Sequence, residues 1–153
     1  MRGNTDLVNT VVDRTTTRHD RALKGFTAGT RAGADMVMVS SAYYTRIDSR
    51  RRAVFSPVVL KSMLRSDLRY RGVIISDDLT APGFRDRTPA WRAVSFLAAG
   101  GDLMIVGSSS QAAAMATAVQ RRAAGDAAFR AELPRKVTRV LQMKARRGLA
   151  TCR

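Results

Sequence analysis

Three short runs of uninterrupted apolar residues constrain this chain more than any other feature: Met36-Val37-Met38-Val39, Val73-Ile74-Ile75 and Leu103-Met104-Ile105-Val106. A strand with one wet face alternates apolar and polar residues. A run without that alternation belongs to a strand covered on both faces, and such strands are mostly parallel. Each run is entered through a glycine and left through small polar residues. Gly33-Ala34-Asp35 precedes the first and Ser40-Ser41 follows it; Gly72 precedes the second and Ser76-Asp77-Asp78 follows. Gly100-Gly101-Asp102 precedes the third, which ends at Gly107-Ser108-Ser109. Helical signals fill the intervals. Ser56-Pro57 and Thr88-Pro89 each offer an N-cap followed by proline at the first helical position. Val58, Val59, Met63 and Leu64 recur at helical spacing after the first, and Trp91, Val94 and Leu97 after the second, with Gly100 as the stop. Ser110 to Ala124 is alanine-rich and helical, and Phe129 to Arg147 reads as a closing basic helix with Pro134 near its start. Strands alternating with helices specify an α/β fold, either a doubly wound sheet or a (β/α)8 barrel.

Both architectures place their chemistry at the C-terminal ends of parallel strands. That rule selects Ser40-Ser41, Ser76-Asp77-Asp78 and Ser108-Ser109, of which only the middle set carries carboxylates. Adjacent aspartates at a strand end can bind a metal, catalyse, or cap the next turn. Successive residues of a strand point to opposite faces, so Asp77 and Asp78 have different surroundings. One is expected to be reactive and the other to support it. The segments Ala42 to Phe55 and Leu79 to Arg87 are long for simple connectors, as loops that carry function are.

The net charge of +15 is the unusual total. It leaves open a non-catalytic basic module that binds an anionic polymer. The arginines are scattered, with short clusters at 50–52, 121–122 and 146–147, and few aromatics lie among them. A base-stacking platform is therefore absent and nucleic acid is not expected as a partner. No run is long enough to span a bilayer, and the first residues lack the apolar stretch of a signal peptide, so as it stands the chain reads as cytoplasmic. Cys152 is the only cysteine, which excludes an internal disulfide framework and a cysteine metal site. A metal held by Asp77 and Asp78 lacks the further histidines or carboxylates it needs.

Several of these segments, in order, resemble one family. Val37 to Tyr44, Ile47-Asp48, Ala53 to Pro57, Leu64-Arg65 and Gly72 to Leu79 are similar to the later barrel strands of family-three glycoside hydrolases, in the β-N-acetylhexosaminidase branch. Ala98 to Leu103 continues the likeness, which weakens after about Ala124. The resemblance implies a partial (β/α)8 barrel, its last three strands and their helices, occupying residues 1–150 as one domain. It implies a retaining hydrolase of β-linked N-acetylhexosamines in which Asp77 attacks the anomeric carbon and Asp78 supports it. Ser41 and Tyr44 fall where sugar-binding residues are expected. No cofactor is implied, and the partner is a carbohydrate.

The chain also departs from the family. The acid/base of this branch is a histidine beside an aspartate, on the loop corresponding to residues 3–17, and that stretch has no histidine. Asp6, Asp13 and His19 are the substitutes within reach. The family's substrate-clamping arginine and its lysine–histidine pair lie on earlier strands that would precede Met1. A full barrel takes about 200 residues or more. The expectation is a truncated chain, with little activity alone, whose partner is a separately encoded N-terminal half. An opened barrel would bare strand edges and one apolar face.

Overall fold

In the computed structural model, which describes residues 4, 5, 8 and 10–150, the elements run β1 (Val12–Asp13), α1 (Lys24–Arg31), β2 (Met36–Val39), β3 (Tyr43–Tyr44), a helix over Val58–Asp67, β4 (Val73–Asp78), α2 (Pro89–Ala99), β5 (Leu103–Ile105), α3 (Ser109–Gly125) and α4 (Ala127–Arg146). The three apolar runs form one parallel sheet in the order β2-β4-β5. Its register pairs Met36 with Val73, Val39 with Ser76, and Ile75 with Leu103. β1 and β3 form a separate parallel pair, Val12 opposite Tyr43 and Asp13 opposite Tyr44. This pair lies partly in a segment that the sequence presents as loop.

The helix signals act as the sequence indicates. Thr88 Oγ1 accepts from the Trp91 N–H, Pro89 opens α2, and Gly100 closes it at φ 117°, a left-handed conformation that glycine adopts without steric cost. The Gly101 N–H then donates to the Phe96 carbonyl at 3.1 Å. Ser56 caps the next-earlier helix, its Oγ accepting from the Val59 N–H at 3.3 Å. That helix differs from expectation in its winding: Val58–Asp67 has i→i+5 hydrogen bonding, ending with Leu68 N–H on the Met63 carbonyl. Apolar spacing over ten residues does not separate a wide turn from an ordinary one.

One face of the sheet is covered. Val37, Val39, Ile74 and Ser76 are buried, and Leu60, Leu64, Phe84, Phe96 and Met115 complete the core with them. Phe55 packs edge-on against Phe84 at 5.5 Å and Trp91 at 4.9 Å. The opposite face is open along β2, though Val73 on the same face of β4 is buried. Met36 and Met38, which point the other way from Val37 and Val39, are 45% and 56% exposed. The sheet does not close, and among the described residues β2 and β5 each have one strand neighbour. Among the described residues, no helix is long and apolar enough to cross a membrane.

The foot of the sheet is tied by a carboxylate. The Asp102 side chain is fully buried and accepts from Arg65, from Arg139 at 2.9 Å and from the Ile74 N–H at 2.9 Å. It thus joins the Val58–Asp67 helix, β4, the start of β5 and α4. Removing one member of such a group strands the others without a counter-charge. Asp102→Ala is expected to lower the unfolding free energy by about 3–5 kcal/mol, read from urea denaturation. A loss below about 1 kcal/mol would show that Asp102 does not hold this node.

Candidate active site

β4 is the central strand, so its C-terminal end is flanked by the ends of β2 and β5 and the loops that leave them. The pleat separates Asp77 and Asp78. Asp78 faces the covered side and is fully engaged: its Oδ1 accepts from the Thr80 N–H at 2.8 Å, the Thr80 hydroxyl at 2.7 Å and the Gly107 N–H at 3.2 Å. Burial pushes the Asp78 carboxyl up, but these bonds and the Arg92 charge outweigh it and hold the group below the usual carboxylate range. A Cβ at position 107 would stand 2.9 Å from Asp78 Oδ2, so glycine permits this approach. Turn capping is the work of Asp78.

Asp77 is held more lightly. Its Oδ1 accepts from the N–H of Asp78 at 2.9 Å. Among the described residues, Oδ2 receives only long contacts, 3.4 Å from the Ser41 N–H and 3.5 Å from the Thr5 hydroxyl. It is half-buried, on the side of the sheet that carries Ile75 and Met38. The arrangement gives a half-buried carboxylate oriented by amide and hydroxyl donors. Such a group can act as a nucleophile or a base.

The other candidates from the sequence divide. Ser41 is brought to Asp77, but through its backbone, and its side chain is buried at 2% exposure. Tyr44 is half-buried in β3, packs against the core and lines an apolar cleft of about 310 Å³ beside β2 with Leu23, Phe26 and Val39. Asp13 lines the same cleft, but its carboxylate is consumed by its own turn. Oδ1 accepts from the N–H groups of Thr15 at 2.8 Å and Thr16 at 2.7 Å, and both threonine hydroxyls add bonds. The Thr16 N–H above all holds its pKa down to about 2. His19 is exposed just ahead of the Asp20 cap that starts the helical segment before α1. Asp6 lies outside the described residues. No three metal-binding side chains gather among the described residues.

Sequence reasoning missed Arg52. In the run Arg50-Arg51-Arg52 it reads as surface charge, yet it is 7% exposed while its two neighbours are open. Its guanidinium donates to the Ser41 carbonyl at 3.1 Å and the Gly83 carbonyl at 2.7 Å, and lies over the Tyr43 and Phe84 rings. It therefore clasps the loops that follow β2 and β4 on either side of Asp77. The only signal for it in the sequence is the apolar triplet Ala53-Val54-Phe55 that follows, which is buried. Ser76 was also passed over. It is buried and accepts from the Ile105 N–H at 3.0 Å, filling the ladder where β4 spends three residues against two of β5.

Residues 3–143 match the family described as Glycosyl hydrolase family 3 N terminal domain. A beta-hexosaminidase of Methylococcus capsulatus is 34% identical over 112 residues, covering 72% of this chain and 33% of the relative. One from Stenotrophomonas maltophilia is 37% identical over 103 residues, covering 65% and 30% respectively. The chain spans about a third of the length of these curated relatives. Among solved structures, a beta-N-acetylhexosaminidase from Beutenbergia cavernae superposes with a TM-score of 0.89 at 37% identity, over 94% of this chain and 43% of that one. A family 3 beta-N-acetylglucosaminidase from Paenibacillus, at 22% identity and a TM-score of 0.76, shares the fold.

The depressed pKa of Asp13 has a measurable consequence. A carboxylate whose folded pKa lies below its unfolded value stabilises the fold above the unfolded pKa and loses that contribution as pH falls. Asp13→Asn is therefore expected to be less stable than the parent at pH 7. The gap should close as pH falls from about 4 toward about 2, followed by thermal denaturation across that range. A constant gap would mean that the Asp13 charge contributes nothing.

Proposed function

The chain belongs to glycosyl hydrolase family 3, and on that premise we propose that it forms the C-terminal part of a (β/α)8 barrel that hydrolyses β-linked N-acetylhexosamines with retention, Asp77 being the nucleophile. The observation that carries the reading is the division of labour at the end of β4. Asp78 is spent on Thr80 and Gly107, while Asp77 has one oxygen fixed by the Asp78 N–H and the other lightly held on the open face. In the first step an Asp77 oxygen bonds to the anomeric carbon as the bond to the leaving oxygen breaks, and that oxygen takes a proton from an acid. Water then attacks the same carbon, gives up a proton to the conjugate base and frees the carboxylate. The Ser41 N–H and Thr5 hydroxyl keep Asp77 aimed without neutralising it.

The acid is a separate matter. Asp13 is ionised far below neutral pH and cannot deliver a proton there. His19 is exposed and makes no bond toward Asp77. Asp6 is left among the three, beside any group that the rest of a barrel would supply. The open face asks for that remainder. Met36, Met38 and the cleft lined by Leu23, Phe26 and Val39 lie along β2, where a preceding barrel strand would pack. We assign this surface to the front part of a family 3 barrel, in the same polypeptide or another, and the substrate-clamping groups to that part. A carbohydrate is accordingly the substrate class, and the chain alone is expected to show little turnover.

The test joins this chain to the front part of the Beutenbergia cavernae barrel, the portion it does not match. Release of nitrophenol from a nitrophenyl N-acetyl-β-glucosaminide should appear in the joined protein and fall by roughly 10³-fold or more in Asp77→Gly. Azide should restore turnover in that variant with inverted product, which a folding defect would not permit. Parent-level turnover in Asp77→Gly would remove Asp77 as nucleophile.

A further inference from the structure

A second cleft lies at the other end of the sheet, five residues of β4 from Asp77 and so roughly 16 Å away. It has a volume of about 960 Å³ and is framed by Gly33 to Asp35, the loop 69–72, and the ends of α1 and α4. Five arginines line it: Arg31, Arg69, Arg71, Arg146 and Arg147. The two carboxylates there are already used. Asp67 holds Arg18 through two bonds of 2.7 and 2.9 Å, and Asp35 holds Arg147 at 2.6 Å and Arg146 at 3.7 Å. Arg31, Arg69 and Arg71 are exposed, and among the described residues their guanidinium groups make no hydrogen bond or ion pair.

Helix ends explain part of this. The C-termini of α1 and α4 meet here, and their negative dipole ends favour arginine at positions 31, 146 and 147. They do not explain Arg71, which belongs to no helix, or Arg69. The latter has φ 50°, the one positive value among described non-glycine residues, at the position after a helix end where glycine is preferred. The backbone beneath the pair is fixed. Arg65 donates to the Tyr70 carbonyl at 2.9 Å and the Gly72 carbonyl at 2.7 Å, and the Tyr70 hydroxyl donates to the Ala34 and Val73 carbonyls. A pinned loop thus presents two guanidiniums that lack a partner among the described residues into a cationic cleft, and little backbone ordering remains to be done on binding.

We propose that this cleft binds an extended phosphate-bearing polyanion. Guanidinium forks match phosphate oxygens two at a time, and five arginines on separate segments around one cleft suit a ligand that carries several charges along a chain. Bases are not part of the ligand, because Tyr70, the one aromatic residue lining the cleft, is buried with its hydroxyl engaged. The proposal is independent of the glycosidase reading, since the two sites occupy opposite ends of β4.

Short-chain inorganic polyphosphate is the probe, titrated into the full 153-residue chain over a series of salt concentrations. Arg69→Gly with Arg71→Ala should weaken binding about tenfold at low salt and reduce the salt slope by about 1.4. The glycine relieves the left-handed position, so Tm should not fall and unfolding cannot account for the loss. Arg50→Ala with Arg121→Ala removes the same charge elsewhere and should leave affinity within about twofold. Equal losses in the two double variants would reduce the effect to net charge and overturn the site. So would unchanged binding in the first, or tighter binding of a single-stranded oligonucleotide of equal charge.

Discussion

The alternation of side chains along β4 is the constraint from which the site follows. Ile74, Ser76 and Asp78 face the helices; Ile75 and Asp77 face the open side. Burial of Ile74 beneath the helices fixes the register of the pleat, since a slip of one residue would turn Asp77 inward and Ile74 out. The position of a single carboxylate is thereby tied to the whole apolar contact between sheet and helices. The three-against-two irregularity with β5 falls just before Asp78, and Ser76 supplies the acceptor that the ladder lacks there. The strand can therefore change its pairing beside the site without leaving the Ile105 amide unsatisfied.

Local chemistry in the sequence was sufficient for the elements. Thr88 with Pro89 and Gly100 bound α2 because capping and left-handed termination are decided within a few residues. Parallel pairing followed from uninterrupted apolar runs, and the different fates of Asp77 and Asp78 from the pleat alone. Long-range relations were not legible. Arg52 and Arg51 are indistinguishable in sequence, yet one is clasped between two loops and the other is exposed. The turn that Thr15 and Thr16 close around the Asp13 carboxylate is likewise not visible in the sequence. Asp102 announced itself only as the end of a glycine-rich lead-in, since its partners come from Arg65 and Arg139, each 37 positions away.

The exposed side of β2 is apolar by pattern and not by accident of one residue. Apolar strands without alternation are selected where both faces are covered, and β2 has kept that pattern: Met36 and Met38 are as apolar as Val37 and Val39, though they meet solvent. A sheet adapted to one wet face would carry polar residues at positions 36 and 38. The sequence of β2 has the pattern of a strand covered on both faces, and the curated relatives are about three times as long as the matched part.

The arginine excess has a structural use that its sum conceals. With few carboxylates to pair them, buried and half-buried cations take backbone carbonyls as partners, Arg65 in addition to Asp102. Arg52 holds those of Ser41 and Gly83, Arg92 those of Arg87 and Leu79, Arg65 those of Tyr70 and Gly72, and Lys136 that of Gly101. Burial lowers the pKa of Arg65, Arg92 and Lys136, but an arginine remains charged throughout the physiological range. A carbonyl is a weaker counter-group than a carboxylate, yet it lies in the loop itself, so each such bond fixes chain that has no ladder of its own. Arg52 and Arg92 do this at the Asp77 end of the sheet, Arg65 and Lys136 at the foot. The long loop from Leu79 to Arg87 is consequently held at Leu79, Gly83 and Arg87 by guanidinium donors. Order at the site thus comes from the same residue type that gives the chain its charge.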